Sequence, residues 1–159
     1  MNSIAEYTDI TVKVLMIVIL AGVIGLDREL RHKPAGTKTH ILVGLGSTIF
    51  TIMSIWFYQE FPGKAQVDPS RMAAQIVTGI GFLGAGTIIQ FGSSVIGLTT
   101  AASLWSVAGI GVAVGAGNYF LAAISFVVII IVFMVMNKVT DTLEKRVVSH
   151  IRNRKAKKK

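Results

Sequence analysis

The chain has 159 residues, room for one domain. Apolar residues make up 52 % and charged residues 15 %, against about 25 % charged in a soluble domain, and the mean hydropathy is +0.65, which sets aside a soluble enzyme in favour of a membrane protein. There is no cysteine, which removes disulfides, thiolate metal sites and cysteine nucleophiles, and the net charge is +8.

Met1 to Asp9 carries two acids, Glu6 and Asp9, and no basic residue, so no cleavable signal is expected there. Five apolar runs follow: Ile10–Leu26, Ile41–Tyr58, Met72–Phe91, Leu98–Ala116 and Tyr119–Met136. Each approaches the roughly 20 residues that a helix needs to cross a bilayer core. Backbone groups in lipid must be satisfied within the segment, so each run reads as a helix. The expected fold class is all-α, a polytopic membrane helix bundle of about five transmembrane helices. Residues 1–136 form the membrane domain and 137–159 a basic tail, a short amphipathic helix followed by a disordered end.

Lys13 lies near the outer end of the first span, where a long side chain snorkels. The connector Asp27–His40 holds Asp27, Arg28, Glu29, Arg31, Lys33 and Lys38 around a Pro34-Ala35-Gly36 turn, and Thr39 is a candidate N-cap for the second span. Its mixed charge beside a tight turn is either a solvated hairpin or a patch of Asp27, Arg28, Glu29, Lys38, Thr39 and His40 that meets a partner or a cation. Trp56 and Tyr58 close the second span as interfacial anchors. Asp68 before Pro69 is a strong helix start. Arg71, with Gln75 one turn on, is expected to pair with Asp68 at the membrane edge.

Gly79-Ile80-Gly81-Phe82-Leu83-Gly84 matches the dinucleotide pattern G-x-G-x-x-G. A nucleotide fold also requires a preceding strand and an acid about 20 residues on for the ribose. No acid occurs between Asp68 and Asp141, so that reading fails on context. Helix packing takes its place, because lipid gives helices no hydrophobic reason to associate and small residues allow close backbone approach. Gly79, Gly81, Gly84 and Gly86 in the third span, and Gly111 and Gly115 in the fourth, are the packing candidates. A broken third helix lining a cavity is the alternative. Thr99 and Thr100 either cap the fourth span or bond across helices.

Lys138 to Lys159 carries nine of the sixteen basic residues. The excess places the C-terminus in the cytoplasm and, with five spans, the N-terminus outside. The Asp27–His40 connector then also falls in the cytoplasm, so the two basic segments agree on one topology. Val139, Leu143, Val147 and Ile151 recur every four residues, Asp141 and Lys145 stand at i,i+4, and the basic end attracts anionic lipid rather than nucleic acid. No span contains a carboxylate, and there is no phosphate-binding loop, metal-ligand spacing or catalytic triad, so catalysis is not expected.

Three motifs, "GLDRELRHKPAGTKTH", "DPSRMAAQIVTGIGFLGAGTII" and "GLTTAASLW…AGIGVAVGAG", resemble in order and spacing the MgtC/SapB family of bacterial membrane proteins, over about Gly22 to Gly117. The family usually shows Glu at the position of Asp27 and Arg at that of Lys38. Many members add a cytoplasmic ACT-like domain, so the chain resembles a short member without one. The family's motif positions carry over to Asp27, Arg28, Glu29, Pro34, Gly36, Lys38, Thr39, His40, Asp68, Arg71, Gln75, Gly79, Gly81, Gly84, Gly86, Thr99 and Thr100, with no reaction attached to them. The resemblance implies an inner-membrane protein linked to growth in low magnesium and to survival inside host cells. It also implies action on other membrane proteins, ATP synthase among the proposed targets. Two expectations follow. One is a regulatory protein working through helix–helix contacts, a homodimer packed on glycine faces, with no cofactor. The other is a transporter, channel or accessory for a cation such as Mg²⁺, with Asp27, Glu29 and Asp68 as candidate carboxylates, a broken third helix as pathway and the metal ligands otherwise left open.

Overall fold

The structure, a computed structural model, describes residues 4–61 and 68–156. In chain order its elements are α1 (Ile4–Leu30), α2 (Thr37–Glu60), α3 (Pro69–Ala85), a hairpin of β1 (Ile89–Phe91) and β2 (Ser94–Ile96), α4 (Leu98–Gly115) and α5 (Tyr119–Ala156). Among the described residues four helical segments are long and apolar enough to cross a membrane: α1, α2, α4 and Tyr119–Thr140 of α5. With 17 residues, α3 is about 25 Å long, slightly short of a hydrocarbon core of about 30 Å.

The apolar runs locate every helix, but the ends move. Charged residues extend the first run in both directions, because a helix continues into the headgroup region at no cost to its hydrogen bonds. Asp27, Arg28 and Glu29 therefore sit on the last turn of α1, not in a loop. That helix ends in a Schellman arrangement: Lys33 N–H donates to Arg28 O at 3.0 Å and His32 N–H to Glu29 O at 2.9 Å, with His32 at φ 53°. The connector shrinks to residues 31–36, and the N-cap of α2 is Gly36, not Thr39.

The third run departs most. The helix expected to reach Phe91 stops at Ala85, and the sequence after it alternates into a two-stranded antiparallel hairpin pairing Ile89 with Ile96 and Phe91 with Ser94. Gly92, at φ +57°, opens the two-residue turn. Gly97, at φ +93°, closes the hairpin so tightly that a Cβ there would run into the Thr87 carbonyl. "GIGFLGAG" thus ends a helix rather than interrupting one.

The chain divides into two compact units, Met1–Ser125 and Phe126–Lys159. In the first, α2 packs against α1, α3 and α4. The core is Ile17, Ala21 and Ile24 of α1 with Leu104, Val107, Ile110 and Val114 of α4. Helix ends alternate: the end of α1 and the starts of α2 and α4 lie together at one end, which also carries Arg31, Lys33 and Lys38. At the other end Ser54 Oγ donates to Pro69 O at 3.1 Å, and Tyr119 Oη to Asp9 Oδ1 at 2.7 Å. Lys13 pairs with that same Asp9 at 2.6 Å instead of only snorkelling.

The second unit is the bulk of α5. No Gly or Pro follows Gly117, so nothing in the sequence stops the helix, and it runs unbroken to Ala156. The helix of the last span thus continues into the basic segment as far as Ala156. The Asp141–Lys145 pair, Lys64 and residues 157–159 lie outside what is described.

Candidate functional site

Three helix termini meet at the basic end and enclose a polar cluster. The last turn of α1 contributes Arg28, 2 % exposed; the first turn of α2 contributes His40, 0 % exposed; α4 contributes Thr100 and Ser103, at 1 % and 2 %. Arg28 Nη2 donates to Thr100 Oγ1 over a long 3.4 Å. His40 Nδ1 stands 2.8 Å from Gly36 O, and its Nε2 stands 3.0 Å from Ser103 Oγ. A carbonyl only accepts, so the ring proton belongs on Nδ1. In a neutral imidazole Nε2 then accepts the Ser103 hydroxyl proton, which otherwise goes to Thr100 O at 2.8 Å. One hydroxyl proton thus serves two acceptors. Gly25 permits this assembly: a Cβ there would lie 2.6 Å from Thr37 Cα and 3.0 Å from His40 Cβ.

The six residues read as one charged patch separate into four roles. Arg28 and His40 point into the bundle. Glu29 Oε2 accepts the Thr37 N–H at 2.9 Å, placing a carboxylate on the first free donor of α2. Asp27 Oδ1 accepts from Arg31 Nε at 3.0 Å, one helical turn on. Lys38 and Thr39 face outward. Among the described residues no three His, Asp or Glu side chains converge as metal ligands would.

Below the cluster, α2 buries His40, Gly44, Ser47, Thr51 and Ser54, spaced three or four apart on one face, with Thr48 beside them. Gly111 and Gly115 of α4 close on this stripe. A Cβ at Gly111 would lie 2.5 Å from Gly44 O and 2.8 Å from Ser47 Cβ; at Gly115 it would lie 2.7 Å from Thr51 Cβ and 2.8 Å from Thr48 O. Thr48 Oγ1 donates across the seam to Gly111 O at 3.0 Å. These two glycines therefore hold one chain's own helices together, and are not free for contact between copies. Gly84 makes an ordinary contact with Ala101, at 3.4 Å, while Gly86 sits at the helix end against the Leu83 carbonyl. Gly79 and Gly81 depart from the packing expectation: nothing lies within 4 Å of the position a Cβ would take. Both are exposed, Gly79 in the wall of a groove between α2 and α3. The role of Ser103 was legible only once the facing helix was known.

At the opposite end the expected Asp68–Arg71 ion pair is not formed. Asp68 Oδ1 accepts the Ser70 N–H at 2.8 Å, and that capping bond holds its carboxyl below the ordinary carboxylate range. Arg71 and Gln75 are exposed. Gln75 lines an apolar groove of about 650 Å³ between α2 and α3, with Leu42, Gly46, Phe50, Met72 and Gly79 among its walls.

The sequence of residues 14–142 matches the MgtC family. Curated relatives include the Escherichia coli K12 protein named "Putative magnesium transporter YhiD", 40 % identical over 83 % of this chain and 62 % of its own length. Protein SapB of Bacillus subtilis is 43 % identical over 79 % of this chain and 56 % of its own length, and Protein MgtC of Brucella abortus is 43 % identical over 79 % and 50 %. The chain thus spans about half to three-fifths of the length of these relatives. No solved structure matches it. With the family pattern covering most of the bundle, including every helix that builds the polar cluster, the chain belongs to the MgtC family.

Proposed function

We propose that this protein regulates other membrane proteins through contacts along its helix faces, in a bacterial inner membrane, with its N-terminus outside and the cluster end in the cytoplasm. The Lys and Arg residues at that end and in the tail support the orientation. The observation that carries the reading is the closed α2–α4 seam. Where a methyl group already collides with the Gly44 carbonyl, no hydrated ion passes. Arg28 is the most deeply buried charged side chain at that end of the bundle. What remains available is the lateral surface, and the family's link to low magnesium then operates through a partner such as ATP synthase. The experiment is crosslinking in native membranes followed by identification of captured proteins. Specific membrane partners are expected, and their absence across magnesium-replete and magnesium-starved cells refutes the reading.

A second reading, cation transport or an accessory role in it, is favoured by the name of the Escherichia coli relative. Mg²⁺ keeps most of its waters and needs only one or two carboxylates, which Asp27 could supply through its buried, unbonded Oδ2. Mg²⁺ uptake into proteoliposomes above empty vesicles would establish it.

A further inference from the structure

We infer that the β1–β2 hairpin is a membrane-surface anchor, seated in the phospholipid headgroup layer on the polar-cluster side with Ile89, Phe91 and Ile96 turned into the acyl chains. The chain itself does not cover it. Every residue from Ile88 to Ile96 is exposed, and the main contact of each strand is with the other. A two-stranded hairpin is at best marginally stable in water. Strands of three residues therefore need a surface to lie against.

The sequence indicates which surface. No Asp, Glu, Lys, Arg or His occurs from Met72 to Asn137, so the link between α3 and α4 carries no charge. The link between α1 and α2, at the same end, carries Arg31, His32, Lys33 and Lys38. The α3–α4 link holds Ile88, Ile89, Phe91, Val95 and Ile96 instead, all exposed. Its flanking helices are also short. They have 17 and 18 residues, about 25 and 27 Å, against a hydrocarbon core of about 30 Å. They do not lift the hairpin clear of the bilayer. Thr100, the third residue of α4, bonds to Arg28, so the base of the hairpin is level with the charged last turn of α1.

The backbone sets the depth. Unpaired strand edges cannot lie in hydrocarbon, where their N–H and C=O groups find no partner. The headgroup layer offers water to those edges and acyl chain to the side chains beneath. The register sorts the side chains to match. Ile89 pairs with Ile96 and Phe91 with Ser94, which places three large apolar residues on one face, while Gln90 and Val95 pair on the other. Gln90 Nε2 donates to Gly92 O at 3.1 Å. Gly97 closing against the Thr87 carbonyl fixes the base, so the apolar face is presented as a unit. This anchor is independent of the partner that the helix faces meet.

The chain has no cysteine, so single-cysteine variants report one site each. Ile89→Cys, Gln90→Cys, Phe91→Cys, Val95→Cys and Ile96→Cys are labelled with bimane in the full chain, in vesicles of phosphatidylethanolamine and phosphatidylglycerol. Phosphatidylcholine brominated near the head of its acyl chains is expected to quench positions 89, 91 and 96 strongly and 90 and 95 weakly. Aqueous iodide is expected to do the reverse. Iodide quenching of all five places the hairpin in water and overturns the inference. Shielding of all five from both quenchers assigns the hairpin to a second copy or another protein and also overturns it, as does equal lipid quenching at all five. Phe91→Asp gives a second measurement, since this exposed side chain can change without disturbing the bundle. Combined with Ile96→Cys, it is expected to abolish lipid quenching at 96 with the thermal unfolding midpoint unchanged. Lipid quenching at 96 that persists beside Asp at 91 overturns the anchor.

Discussion

Replacing Gly111 by alanine tests the seam on which the fold depends. The new Cβ would stand 2.5 Å from Gly44 O, a backbone atom that cannot rotate away. Restoring an ordinary separation of about 3.4 Å parts α2 from α4 by roughly 0.9 Å. The Thr48–Gly111 hydrogen bond, 3.0 Å long, would stretch beyond bonding range. Overpacking costs about 1–3 kcal/mol, and an interhelical hydrogen bond in a membrane about 0.6 kcal/mol. Alanine also gains about 1 kcal/mol of helix propensity over glycine. Gly109, two residues earlier on the same helix, has nothing within 4 Å and collects that gain without the collision. The two alanine variants should therefore differ by about 1.5–3.5 kcal/mol, with Gly109→Ala at or above wild type. Reversible unfolding from mild detergent into denaturing detergent, followed by tryptophan fluorescence, measures the difference. Equal stability of the two variants would show that α2 and α4 are not in main-chain contact there.

Other perturbations probe separate parts of the molecule. His40→Ala removes a fully buried ring and its bonds to Gly36 and Ser103, and is expected to cost about 2–4 kcal/mol in the same assay. His32→Gly relieves a non-glycine residue at φ 53° and is expected to stabilise by about 0.5–1 kcal/mol, seen as a raised unfolding midpoint. Asp68 caps α3 as a carboxylate whose pKa is lowered by the Ser70 bond. Its contribution is therefore complete above the unfolded value of about 4 and is lost as pH falls through the lower folded value. Amide exchange at the start of α3 should accelerate in that acid range for the wild type but not for Asp68→Asn.

Much of this architecture could be read directly from the residues. Hydrocarbon imposes one requirement, internal satisfaction of every backbone donor and acceptor, so a run of apolar residues is enough to specify a helix, and its length a crossing. Pro69 after Asp68 marked a helix start for the same local reason, a cap that depends on neighbours two residues apart. The three motifs carry the family pattern within the sequence itself.

Facing partners could not be read in that way. Glycines look alike along the chain, yet a Cβ on Gly111 would meet Gly44 while one on Gly81 would meet nothing within 4 Å, because the difference lies in which helix comes opposite. Arg28 and His40, read as part of a cytoplasmic patch, turn inward because Thr100 and Ser103 arrive from a helix more than sixty residues away. The hairpin after Ala85 likewise depends on Gly97 closing against Thr87. Local chemistry sets the elements of a membrane protein, but burial and close approach are properties of pairs of elements, and those exist only once the helices have packed.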